Sequence, residues 1–192
     1  GFAGGEKMIQ DGMFDDFKID EVYALHNWPE LPLGTFGVNS GPMMAAVDEF
    51  DITVKGKGGH AASPHLAIDP VVISAQVISA VQTIISRSTD PVDKALISIT
   101  KINAGTAYNV IDDQVKMGGT IRTFRRETRA YIEKRLNELC KGIADAHGAE
   151  IKIEFDLVNK YPPTINSKEE TKFAANVAKD LVGDDKVITD ID

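Results

Sequence analysis

One cysteine, Cys140, stands among 192 residues. That excludes an internal disulfide and leaves no cysteine cluster to hold a metal. Positive charge is in deficit: 21 Lys and Arg against 29 Asp and Glu leave a net charge of -8. This is the wrong sign for a chain that grips nucleic acid through its phosphates. No apolar run approaches bilayer-spanning length, and no signal-peptide pattern opens the chain. The expectation is a cytoplasmic protein that touches neither membrane nor nucleic acid. An initiator methionine is missing as well. The chain starts at Gly1 and stops at VITDID, an incipient strand, so it reads as a piece of something longer. What is there is ordinary for a globular protein: 43% hydrophobic and 26% charged residues. There is no internal repeat.

From Phe50 to Leu157 the periodicities are clear. Phe50, Ile52 and Val54 alternate with Asp51, Thr53 and Lys55, the pattern of a half-buried strand. Asp69 and Pro70 read as N-cap and first helical residue, and Val71, Ala75, Ile78, Val81 and Ile85 then form a helical stripe. Ile97 and Ile99 begin a second strand. Val115, Met117, Gly119 and Ile121 mark a third, with Gln114, Lys116, Thr120 and Arg122 on its other face. A second helix follows, turning Ile132, Leu136, Leu139 and Ile143 inward and stopping at Gly148. Ile151, Ile153, Phe155 and Leu157 give a fourth strand. The order strand, helix, strand, strand, helix, strand is the split βαβ pattern, an α+β two-layer fold with two helices on one face of a four-stranded antiparallel sheet. Arg122 lies on the open face.

The flanks differ. Residues 1–46 are rich in glycine and proline, with a short apolar strand, Val22–Leu25, ending at His26. Residues 162–192 hold a proline-proline turn, a helix after Ser167 and a final strand-like VIT. Neither has enough apolar residues for a core of its own.

Candidate functional residues are few. GKGGHAASPH, from Gly56 to His65, sets His60 directly after two glycines, so the backbone there must come close to something. His65 reads as a solvated residue before a helix. Asn109 follows AGTAY in a loop, where an Asx turn is the commoner role. Arg122, in GGTIRTF, is either a surface ion-pair former or a planar fork for a carboxylate. Arg125 and Arg126 read as solvated positions at a helix start. His26, taken alone, reads as a histidine packed against Trp28.

Together these runs say more. ALHNWPELPLGTFGVNSGPMMAA, GKGGHAASPHLAIDP, GTAYNVIDD and GGTIRTF, in this order, resemble the zinc aminoacylase/carboxypeptidase family, above all the hippurate hydrolase-like N-acyl-amino-acid amidohydrolases. The resemblance implies a two-metal catalytic domain interrupted by a lid or dimerisation domain. Residues 47–159 would be the lid; residues 1–46 and 160–192 would be incomplete segments of an α/β catalytic domain. It makes His26 a metal ligand. It makes His60 a catalytic residue reaching the other subunit's site to polarise the scissile carbonyl, with the glycines allowing approach across that interface. Asn109 and Arg122 become substrate-binding residues for the backbone and free carboxylate.

The implied partners are an N-acyl amino acid and a second copy of the chain, and the implied cofactors are two divalent ions, zinc or manganese. In such a site a metal-bound hydroxide attacks the amide carbon while a carboxylate shuttles the proton. The motif supplying most metal ligands and the glutamate pair would lie before Gly1, and the last ligand after Asp192. The expectation is therefore an inactive fragment with no stably bound metal. The alternative is a non-catalytic dimerisation or small-molecule-binding module. Asp112 replaces the proline that often follows NVI in that family, a change expected to alter only a turn.

Overall fold

A computed structural model describes residues 4–156 and 161–189. The helices are α1 Gly4–Gln10, α2 Met13–Asp16, α3 Pro70–Thr83, α4 Arg126–His147 and α5 Lys168–Val182. The strands are β1 Phe36–Gly37, β2 Gly41–Met44, β3 Ala46–Lys55, β4 Gly59–His60, β5 Ala95–Asn103, β6 Val110–Ile111, β7 Gln114–Thr123, β8 Glu150–Phe155, β9 Thr164–Asn166 and β10 Val187–Ile188. The chain forms two compact units: Ala46–Pro162, and the segments before and after it.

The first unit is the split βαβ layer expected from the sequence. Its sheet runs β5-β7-β3-β8, antiparallel throughout. Every second residue of β3 from Ala46 to Val54 is buried, because one face carries both helices and the other does not. Phe50, Ile52 and Val54 meet Val115, Met117 and Ile121 of β7 beneath Ile73, Val77, Ile132 and Leu136 of the helices. Leu157, assigned above to the fourth strand, lies outside the described residues.

Asp69 caps α3 as its position predicts, accepting from the N–H of Val71 at 2.8 Å and of Val72 at 3.4 Å. Of the expected stripe Val81 is buried, but the inward face is rotated from the one expected. Ile73, Ser74, Val77, Val81 and Ile84 are buried, whereas Val71 and Ala75 are exposed and Ile78 and Ile85 only partly covered. The run PVVISAQVISAVQT is apolar on nearly every side, so periodicity cannot choose the face; packing against the sheet does. With the π-helical turn after it, the segment Pro70–Ser88 has 19 residues and a mean hydropathy of 1.3, long and apolar enough to cross a bilayer by length and composition. That corrects the expectation that nothing in the sequence reaches this length. One side of it, with Ile73, Val77, Val81 and Ile84, packs into the core of the layer, and the other, with Val71 and Val72, is exposed.

The second helix of the layer, α4, buries Thr128, Ile132, Leu136, Cys140 and Ala144 at four-residue steps, with Leu139 and Ile143 at the margin. It ends at Gly148, whose φ of 67° takes the left-handed conformation of a C-cap.

In the second unit β1 pairs with β10 in parallel and β2 with β9 antiparallel. The helix expected after Ser167 is α5, and the VIT run supplies β10. Ala175, Ala178 and Val187 form a small buried cluster with Phe36, Val38 and Val182 around it. The strand expected over Val22–Leu25 is not formed: those residues lie outside any ladder and are exposed, Leu25 at 87%. Propensity alone does not make a strand without a neighbour to pair with.

Candidate functional site

His60 ends β4, a two-residue strand held against β6 with Gly59 opposite Ile111 and His60 opposite Val110. The turn after it is tied down amide by amide. Ala61 N–H donates to the Asn109 carbonyl at 3.0 Å, and Ser63 N–H to the His60 carbonyl at 2.8 Å. Ala62 N–H donates to Nδ1 of the His60 ring at 3.0 Å. His60 and Asn109, far apart in sequence, are thus brought to one short ladder and line one shallow concavity with Gly58, Val110, Ile111 and Asp112.

The glycines serve this chain's own backbone. A β-carbon at Gly56 would stand 2.0 Å from the Ile68 carbonyl oxygen, and one at Gly58 would stand 2.9 Å from that of Ile111. Gly59, next to His60, would meet only the Ala67 methyl at an ordinary 3.4 Å. Within the chain itself, Gly56 and Gly58 let the β4 segment lie close against Ile68 and Ile111, while Gly59 beside His60 stays open.

Arg122 sits elsewhere, on the open face of the sheet. Its Nη1 donates to Thr120 Oγ1 and, at 3.2 Å, to the Ile121 carbonyl. The guanidinium borders a cavity of about 240 Å³ that is also lined by Glu49, Asp51, Thr100, Lys101 and Asp156. From the near end of β7 at Gln114 to Arg122 is eight residue steps of strand, about 26 Å. One copy of this unit therefore brings His60 and Asn109 together and keeps Arg122 apart. The pair Gly118-Gly119 is again filled from within: Asp51 Oδ1 leans over Gly118, and the Phe50 ring and Ser98 carbonyl crowd Gly119. Arg125 is not merely solvated at the helix start; it donates to Asp93 at 2.8 Å.

His26 lies in the second unit and is exposed. Its ring meets Trp28 edge-on, with centroids 6.2 Å apart, the neighbour expected for it from sequence alone. Its Nδ1 is 2.6 Å from the Asn27 carbonyl. A carbonyl can only accept, so this hydrogen bond takes the proton on Nδ1, and in the neutral ring Nε2 then has the lone pair, the form that ligates metals. Among the described residues no three His, Cys, Asp or Glu side chains gather to hold an ion. The donors present do not fit a two-metal centre; His26 offers one ligand.

Sequence reasoning missed two contributors. Main-chain donors such as the Ala62 amide leave no mark in a side-chain pattern. Lys101 joins the Arg122 cavity because a bulge between Ile99 and Lys101 shifts the register of β5 against β7; no residue type signals it.

With this geometry in hand, the likeness to known proteins is specific. Residues 47–148 match the M20 peptidase dimerisation domain. The chain is 40% identical to hippurate hydrolase of Campylobacter jejuni over 184 residues, covering 96% of this chain and 48% of that protein. It is 43% identical to an N-acyl-L-amino acid amidohydrolase of Geobacillus stearothermophilus over 167 residues, 87% of this chain and 44% of that protein. A dinuclear metal binding peptidase of the M20 family from Bacillus subtilis superposes with a TM-score of 0.73 at 32% identity, over 96% of this chain and 44% of that one. The chain spans about half the length of the curated relatives it matches. It belongs to the M20 peptidase family, with the family's dimerisation domain at residues 47–148.

Proposed function

We propose that this chain is the lid and flanking segments of a metal-dependent amidohydrolase that cleaves the amide bond of N-acyl amino acids. The observation that carries the reading is that the pairing of β4 with β6 sets His60 and Asn109 around one concavity, in a chain whose relatives include hippurate hydrolase and an N-acyl-L-amino acid amidohydrolase. His60 donates a hydrogen bond to the scissile carbonyl oxygen as negative charge builds on it. Asn109 holds the substrate's backbone, and Arg122 binds its free carboxylate, converting affinity into orientation. His26 supplies one ligand to a metal, zinc or manganese, whose remaining ligands come from outside the described residues.

An N-acyl amino acid is far shorter than the roughly 26 Å of β7 between Arg122 and Gln114, three residues beyond the end of β6. The β4–β6 ladder of one copy therefore serves the Arg122 cavity of a second, in a homodimer formed through the lid. What supports that assembly is the match to a dimerisation domain, the position of β5 at a sheet edge and the exposed Val71 and Val72 on α3.

The test is hydrolysis of hippurate and N-acetyl amino acids, with added zinc or manganese, by the protein that joins this chain to its catalytic segments. His60→Ala is expected to lower kcat by about 10²–10³-fold. Arg122→Ala is expected to raise KM, and Arg122→Lys to restore it poorly, since an ammonium lacks the planar fork. Undiminished turnover by both alanine variants would sink the reading. The chain alone is expected to be inactive with either metal.

A second reading, a dimerisation module with no catalytic part, is favoured by one observation: the family match covers the dimerisation domain alone. A joined protein that sedimented as a dimer and hydrolysed nothing would favour it.

A further inference from the structure

The ring of His60 is held by a group that can act in only one direction. A backbone N–H donates and cannot accept, so the Ala62 amide, 3.0 Å from Nδ1, requires a lone pair on that nitrogen. The proton of the neutral imidazole then sits on Nε2. The contact follows from the local fold. His60 is fixed by its register with Val110, Ala61 N–H is taken by the Asn109 carbonyl, and Ser63 N–H turns back to the His60 carbonyl. The amide between these two is left pointing at the ring.

We infer that Ala62 is a positioning residue: its main-chain N–H locks His60 in the Nε2–H tautomer, so that the imidazole presents a hydrogen-bond donor to its ligand. The identity of that ligand, a carbonyl oxygen gathering negative charge, rests on the amidohydrolase reading; the tautomer does not. The lock also separates the two histidines chemically. His26 donates from Nδ1 and exposes a lone pair on Nε2, suited to a cation. His60 does the reverse and is suited to an acceptor oxygen. A hydrogen bond of ordinary net strength biases a tautomer equilibrium by roughly fivefold. A mobile, unheld ring would therefore spend a substantial share of its time with the wrong nitrogen protonated.

The experiment is a two-bond proton–nitrogen correlation spectrum of the chain labelled with ¹⁵N-histidine, in alkaline buffer where imidazole is neutral. His60 is assigned by the signal that His60→Gln removes. The expected result is an acceptor-type shift for Nδ1 of His60 and a protonated Nε2, with His26 showing the opposite assignment. Ala62→Gly keeps the N–H and is expected to keep the tautomer. Ala62→Pro removes the N–H and is expected to lower the Nε2–H to Nδ1–H ratio by roughly fivefold. A proton on Nδ1 in the parent chain overturns the inference, as does an unchanged ratio in the proline variant. Should that variant fail to fold, the parent spectrum decides. If the Nε2–H tautomer is found but the joined enzyme hydrolyses its substrate at full rate with His60→Gln, the functional reading falls and the lock stands.

Discussion

Arg129 of α4 donates through Nη2 to Oδ1 of Asp48, on the helix-covered face of β3, where Asp48 is 1% exposed. Glu133, one turn along α4, stands 3.5 Å from Nε of the same guanidinium. Such a pair contributes little over a well-packed apolar pair, because desolvating both ions offsets their attraction, but losing one partner strands the other. Arg129→Met is expected to destabilise the chain by about 3–5 kcal/mol. The double variant Asp48→Leu/Arg129→Met should recover most of that loss. Urea midpoints of the two variants against the parent check this; equal losses in both would show that the charge contributes through something other than the pair.

A second carboxylate gives a pH signature. Asp93 accepts from Arg125 and from Thr128 Oγ1, both at 2.8 Å, at the start of α4. The Arg125 hydrogen bond, helped by that of Thr128, holds its carboxyl below the usual carboxylate range. A depressed folded-state value means stability that is present above about pH 3.9, the value of a free aspartate, and that is lost as pH falls through the folded value. Asp93→Asn is therefore expected to be less stable than the parent at neutral pH and to converge with it in acid. Denaturation midpoints followed from neutrality into acid read the convergence; parallel curves would refute it.

What the sequence makes legible here is local or periodic. Asp69 before Pro70 announces a helix start because cap and ring act within one turn. The alternation of β3 and β7 shows because one sheet face is dry. The face of α3 does not show, since Val71, Ile73, Ala75, Val77 and Ile78 are all apolar and only the sheet selects among them. The site is legible through resemblance rather than pattern. His60 meets Asn109 through the pairing of β4 with β6, a long-range contact with no local signature, and Lys101 reaches the Arg122 cavity through a bulge. The glycines of GKGGH are legible as a close approach, but what they approach, Ile68 and Ile111 of the same chain, is not.

Cys140 illustrates burial acting on reactivity. It is fully buried in the layer's core, and that burial pushes its thiol up to about 12. The raised value favours the protonated form. Its contribution to stability is intact below about pH 8.5, the value of a free thiol, and declines as pH rises toward the folded value. The native chain is expected to resist alkylation at mildly alkaline pH and to react at once in concentrated urea. Mass spectrometry after a timed iodoacetamide pulse measures both. Rapid labelling of the folded chain would mean that the thiol is exposed far more often than this packing allows.

Two glycines to alanine, compared side by side, separate a required glycine from a tolerated one. Gly142 is inside α4 with nothing within 4 Å of a new β-carbon. There alanine loses less backbone entropy on folding, so Gly142→Ala is expected to stabilise by about 0.5–1 kcal/mol. At Gly56 the same methyl would press on the Ile68 carbonyl oxygen at 2.0 Å and on the Pro70 ring at 3.2 Å. The Lys57–Ile68 bridge, with its paired bonds of 2.9 Å, lies directly beside it. Gly56→Ala must force that bridge apart and shift the segment leading into β4 and His60, at a cost of more than about 1–3 kcal/mol, the usual range for overpacking. Thermal unfolding ranks the pair. Amide exchange at Lys57 and Ile68 then shows whether the cost falls on this bridge: exchange should quicken there in Gly56→Ala and stay at the parent rate in Gly142→Ala. Slow exchange at both amides in the Gly56 variant would mean that the methyl is absorbed elsewhere and that the glycine is not what lets these two segments meet.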